Sequence, residues 1–100
     1  MPLFLINARD KIDSLNLRLA NRTAHLAWAA EYTSQIAMAG PVFLDDGETM
    51  AGSTFVISFD SLNDAMAWAA NDPYARAGLF ERVEIVPFKW SIGTGKPAND

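Results

Sequence analysis

Two residues that lie far apart in the chain could form an acid–base pair. One is His25, the only histidine. The other is Asp72, within the stretch Asn71-Asp72-Pro73-Tyr74. Imidazole is the side chain whose ordinary pKa falls nearest neutrality, and a carboxylate held against one ring nitrogen leaves the other able to take a proton. Arg22 and Arg18 stand one and two turns before His25 on the same face of a helical segment. Two cations disfavour a protonated ring unless a carboxylate offsets them. They also suit an anionic group, which guanidinium holds by paired hydrogen bonds. Ser53 follows Gly52 at the head of a strand, where its hydroxyl could face the same pocket, and Tyr74 follows the Asp-Pro pair.

Each of these residues also has a plainer reading. His25 could be a half-buried helix residue, and the arginines could pair in solvent with Asp13 or near Glu31. Asp72 before Pro73 is good helix-capping chemistry by itself. Capping uses one carboxylate oxygen and leaves the other for an imidazole N–H, so the two roles are compatible. Ser53 could be a turn serine, and Tyr74 a packing residue.

Composition narrows the choice. The chain has 100 residues, half of them apolar and a fifth charged, as expected for one globular domain. With no cysteine, disulfides, thiolate metal sites, iron–sulfur clusters and cysteine nucleophiles are excluded. A net charge of −4 and scattered basic residues argue against nucleic acid. Asp45, Asp46 and Glu48 match no calcium-loop spacing and read as a solvated turn. No metal or other cofactor is expected. No run approaches the ~20 apolar residues that span a bilayer, and Met1 to Asp10 reads as a strand and not a leader. No membrane partner and a cytoplasmic location are the expectations.

The elements that must position these residues can be read in order. Leu3 to Ala8 is an apolar run, expected to be a strand buried on both faces. Asp13 or Ser14 caps a long helix running to about Ile36, with an apolar stripe of Leu15, Leu19, Leu26, Ala29 and Ile36. Ala37 to Leu44 is a strand bent at Gly40-Pro41, and Asp45-Asp46-Gly47 is a turn. Ser53 to Phe59 alternates, with Phe55, Ile57 and Phe59 on one face. Ser61 opens a second helix through Leu62, Ala65, Met66 and Ala69. Asp72-Pro73 ends it and starts a single turn through Ala77 before Gly78. Phe80 to Trp90 is the last strand, which Pro87 places at a sheet edge or at a point where pairing changes. Residues 1–92 form the domain, and 93–100 a flexible C-terminal tail.

This order, β-α-β-β-α-β, folds by right-handed crossovers into a ferredoxin-like α+β domain. Its antiparallel four-stranded sheet carries both helices on one face. A weak repeat agrees, since Ala27-Trp28-Ala29-Ala30 recurs as Ala67-Trp68-Ala69-Ala70. The other sheet face is left bare, and a second copy of the chain is the economical cover. A homodimer, or a higher assembly built on it, is therefore expected.

The motifs carry a family resemblance. They are Arg18-Leu19-Ala20 with Arg22 and His25-Leu26; Gly40-Pro41; Asp45-Asp46-Gly47; Gly52-Ser53; Ala69-Ala70-Asn71-Asp72-Pro73-Tyr74 with Ala77-Gly78; and Val83-Glu84-Ile85 before Pro87-Phe88. As an ordered set they resemble the YciI-related (YCII domain) family, from the first strand through Trp90. The resemblance implies a dimeric α/β barrel and a His–Asp pair falling on His25 and Asp72. Relatives of that wider fold include muconolactone isomerases, cofactor-independent oxygenases and a dehydrochlorinase acting on a chlorinated hydroxyquinol.

The expectation is a cofactor-independent lyase or isomerase acting on a small anionic cyclic or aromatic metabolite. His25 and Asp72 would be catalytic, while Arg18, Arg22, Ser53 and Tyr74 would bind the substrate. The alternative is a non-catalytic dimer module that binds a small ligand or another protein. An open cleft at His25 favours the enzyme, and one filled by Trp28, Tyr32 or phenylalanine favours the module.

Overall fold

The computed structural model describes residues 1–97. In chain order the elements are β1 (Leu3–Asp10), α1 (Leu15–Ala30), β2 (Ile36–Phe43), β3 (Met50–Ser58), α2 (Leu62–Ala70), α3 (Pro73–Arg76) and β4 (Phe80–Phe88). The four strands form one antiparallel sheet in the order β2-β3-β1-β4, with the helices packed on one side. This is the ferredoxin-like arrangement, with α3 as an extra turn before the last strand. Pro41 and Pro87 both lie on edge strands, where a missing amide donor need not break a ladder. No helix among the described residues is long and apolar enough to cross a membrane.

Register decides which side chains meet the helices. Ile6 stands opposite Phe55 on β3 and Ile85 on β4, so all three share the helix-facing side. Ile6, Phe55, Ile57 and Trp68 make the core, with Trp28, Tyr32 and Phe59 packed around them. The two tryptophans of the internal repeat stack on one another at 4.2 Å. The repeat is therefore a packing device joining α1 to α2.

Ser14 stands at the N-cap of α1, but its hydroxyl donates to Ile12 O at 3.3 Å and makes no capping bond, so the expected side-chain cap is absent. Three further sequence expectations change. The strand β1 alternates: Phe4, Ile6 and Ala8 are buried, while Leu3, Leu5 and Asn7 are only half-buried on the side away from the helices. The first helix stops at Ala30 and does not reach Ile36. Tyr32 O accepts from the amides of both Gln35 and Ile36. Gln35 then pairs with Ser58, accepting its amide at 3.0 Å and donating Nε2 to its carbonyl at 3.0 Å. Sheet pairing thus captures Ile36, and the hydroxyls of Thr33 and Ser34 do not favour helix there.

The third change is the most informative. Leu15, Leu19 and Leu26 are 37%, 50% and 49% exposed, whereas Arg18 and His25 on the same helix are buried. The second helix repeats the exchange, exposing Leu62 and Met66 and burying Ala65 and Trp68. On α1 hydropathy mispredicts the inner face because Arg18 and His25 find hydrogen-bond partners inside. On α2 Trp68 goes inside through its ring contacts, and its Nε1 finds no acceptor among the described residues.

The segment after β4 turns back on itself. Trp90 Nε1 donates to Ile92 O at 2.9 Å, and Gly95 lies against the indole ring, where a Cβ would not fit. The expected tail begins at residue 93, and its last three residues, 98–100, lie outside the described residues.

Candidate active site

The site is assembled where α1 crosses β3 and meets α3. Asp72 is the N-cap of α3, with Pro73 at the first helical position. Its Oδ1 accepts from the Tyr74 amide at 2.9 Å and lies 2.8 Å from His25 Nδ1. One oxygen therefore serves both partners, where separate oxygens were expected. The cap turns that oxygen inward toward α1, and Asp72 is only 2% exposed. A carboxylate oxygen can only accept, so Nδ1 carries the proton and the Nε2 lone pair is left open. Nε2 has no hydrogen-bond partner among the described residues.

Packing fixes the ring as firmly as the hydrogen bond does. The imidazole stacks on Tyr74 with centroids 4.0 Å apart and 17° between planes. Trp28 and Phe55 flank it at 5.8 and 6.0 Å. His25 and Asp72 are separated by 47 positions in sequence, and only the packing of α1 against α3 brings them together.

The two arginines, equivalent in sequence, differ in structure. Arg18 is buried, is held by three hydrogen bonds and stands in the wall of the cleft beside His25. Its Nε donates to Asp10 Oδ2 at 2.7 Å, and its Nη2 donates to Asp10 Oδ1 at 3.0 Å and to Ser53 Oγ at 2.9 Å. Its guanidinium carbon also sits 4.4 Å from the Tyr74 ring centroid. Burial alone would lower the Arg18 pKa, but the hydrogen bonds and charge of Asp10 outweigh it and raise it. Tyr74 is raised as well, because burial disfavours the phenolate more than Arg18 stabilises it. Asp10 was absent from the sequence candidates. The available signal was its place at the end of β1, just before the helix that carries Arg18.

Arg22 is exposed, and among the described residues no carboxylate pairs with it. It borders a cleft of about 120 Å³ whose wall includes His25, Ser53, Tyr74, Pro41 and Met50. Pro41, from the edge strand β2, and Met50, from its neighbour β3, were not anticipated as lining residues. A cleft opens beside His25 with Phe55 in its wall, and Trp28 and Tyr32 do not line it. Its volume compares with the roughly 150 Å³ of an apolar cavity that takes up benzene.

No group of three or more metal-ligating side chains occurs among the described residues. In the acidic turn, Asp46 caps its own loop. Oδ1 accepts from the Glu48 and Thr49 amides at 2.8 Å each, and Oδ2 accepts from the Thr49 hydroxyl at 2.6 Å. The Thr49 hydroxyl and the two amides hold that carboxyl below its ordinary pKa.

Comparison with known proteins agrees with this architecture. The family model for the YCII-related domain matches residues 2–89. Protein YciI of Escherichia coli O6:H1 is 42% identical over 94 residues, covering 87% of this chain and 96% of that protein. A Haemophilus influenzae protein is 37% identical over 93 residues, covering 86% and 95%. Among solved structures, the 5-chloro-2-hydroxyhydroquinone dehydrochlorinase of Burkholderia phenoliruptrix AC1100, in complex with 2,5-dihydroxybenzoquinone, superposes with a TM-score of 0.79. It is 30% identical, covering 95% of this chain and 99% of that one.

Proposed function

The chain belongs to the YCII-related domain family, and from that premise we propose that it is a cofactor-independent lyase or isomerase acting on a small anionic ring. The observation that carries the reading is the His25–Asp72 pair beside an open cleft, with Nε2 unpartnered. Nε2 is the general base and, once protonated, the general acid; Asp72 orients the ring and stabilises the imidazolium. In an elimination, a proton passes from the substrate to Nε2. The freed electron pair moves through the ring system, and the leaving group departs as an anion with its bonding pair. In an isomerisation, the same proton returns to a different atom. Either course needs no electron acceptor.

Arg22 is the cation that meets the substrate's negative charge, because Arg18 is committed to Asp10. Arg18 acts instead through Ser53. Ser53 Oγ accepts from Arg18, so its own proton is left to donate to a substrate oxygen, and the guanidinium makes it a stronger donor. Tyr74 supports the His25 ring by stacking. The similarity to a dehydrochlorinase that holds a dihydroxybenzoquinone favours hydroxylated rings as the substrate class. The working form is a homodimer paired through the bare sheet face.

The test is turnover of a panel of hydroxylated and halogenated rings, with 5-chloro-2-hydroxyhydroquinone among them, by the wild type, His25→Ala and His25→Gln. Loss of ~10²–10⁴-fold on removing the general base is expected, with an unchanged thermal midpoint. Turnover retained in both variants ends the proposal. The rival, a non-catalytic binding module, predicts that no member of the panel is turned over.

A further inference from the structure

A second cleft lies at the foot of α1, between the helix start and the β2–β3 turn. It encloses about 260 Å³, more than twice the volume beside His25, and its wall includes Ile12, Leu15, Leu44 and Met50. Met50 borders both clefts. The two are therefore neighbours that share a wall at Met50, one beside Leu26 and Arg22 and the other beside Leu15. Ile12, Leu15 and Leu44 are 84%, 37% and 55% exposed, which leaves an apolar end without cover in this chain. The order along α1 is chemical: proton transfer at His25, a cation at Arg22, then an end whose open surface is mostly apolar, although Asp10, Lys11 and Asp13 also stand in its wall.

We propose that this second cleft is a ligand subsite. It takes the apolar substituent of the molecule whose ring and anionic group occupy His25 and Arg22. The inference rests on the proposed function, and it narrows the ligand class from small anionic rings to anionic rings carrying an alkyl or similar apolar arm. Met50, flexible and unbranched, is the side chain over which the arm passes.

The probe is a homologous series, from 3-methoxybenzoate through 3-propoxybenzoate to 3-hexyloxybenzoate. Binding is measured by calorimetry, and occupancy of the site by the NMR shift of His25. In the wild type, affinity should rise about fourfold per methylene over the first few carbons, the ~0.8 kcal/mol of one buried CH₂. Leu44→Asp and Ile12→Asp alter exposed side chains, so the fold should survive. Each should abolish the gain with chain length while binding 3-methoxybenzoate as the wild type does.

If 3-methoxybenzoate binds at His25 but affinity is flat along the series, the subsite is overturned and the proposed function stands. If no member of the series perturbs His25, the parent reading falls and takes the subsite with it. If Leu44→Asp leaves the chain-length gain intact but lowers the sedimenting mass, the cleft is an interface between copies and the subsite is overturned.

Discussion

At the scale of single residues, the unusual feature is one carboxylate oxygen with two donors. Asp72 Oδ1 caps α3 through the Tyr74 amide and holds His25 Nδ1 at the same time. The cap therefore doubles as the selector of the imidazole tautomer, and the strength of acceptance at Oδ1 decides which nitrogen carries the proton. Replacing Asp72 by Asn keeps an oxygen for the cap but removes the negative charge that draws the Nδ1 proton. Long-range ¹H–¹⁵N correlation should show neutral His25 mainly as the Nδ1–H form in the wild type. In Asp72→Asn the balance should move toward Nε2–H, and turnover should drop with it. An identical tautomer ratio in both proteins would show that stacking on Tyr74, and not Asp72, sets the ring. The types and approximate roles of these residues were legible in sequence. That a single oxygen serves both partners was not, because it depends on the angle at which α3 meets α1.

At the scale of elements, the link between α1 and the sheet is an ion pair. Arg18 ties the helix to the end of β1 through Asp10 and to β3 through Ser53. The side chains of Arg18 and Asp10 are only 2% and 5% exposed. Removing one partner strands a buried charge, so Arg18→Met should cost ~3–5 kcal/mol, whereas exchanging the whole pair costs far less. Urea melts of Arg18→Met, Asp10→Leu and the double variant check this. The double variant should recover most of the loss, and simple additivity would refute the coupling. This link also explains why hydropathy misplaced the inner face of α1. Leu15, Leu19 and Leu26 satisfy the helical period, but Arg18 and His25 have dedicated acceptors inside, and a buried polar group with its partner in place competes with leucine for the interior.

At the scale of the molecule, the uncovered sheet face dominates. The pairings set Val86 beside Leu5, Leu5 beside Val56, and Val56 beside Met38, making an apolar row across all four strands on the side away from the helices. Met38 and Val86 are 51% and 38% exposed. A two-layer domain of this size leaves such a face bare unless something covers it, and the proposed dimer does so with its own copy. Val86→Asp places a charge at one end of the row, on the edge strand β4. Sedimentation should then report a monomer where the wild type is a dimer, with the far-ultraviolet circular dichroism unchanged. A wild type that sediments as a monomer would refute face-to-face pairing.

The order of elements, the caps at Ser61 and Asp72 and the candidate pair His25–Asp72 were all legible in sequence. Each rests on local chemistry, whether a backbone restriction, a short-range hydrogen bond or a residue type that occurs once. The tertiary structure decided what depends on contacts between distant segments. It engaged Arg18 with Asp10, left Arg22 without a carboxylate partner among the described residues, turned three leucines outward, and set Met50 between two clefts. Those outcomes follow from which partner each side chain meets across the fold, and spacing along one helix carries no record of a partner on another strand.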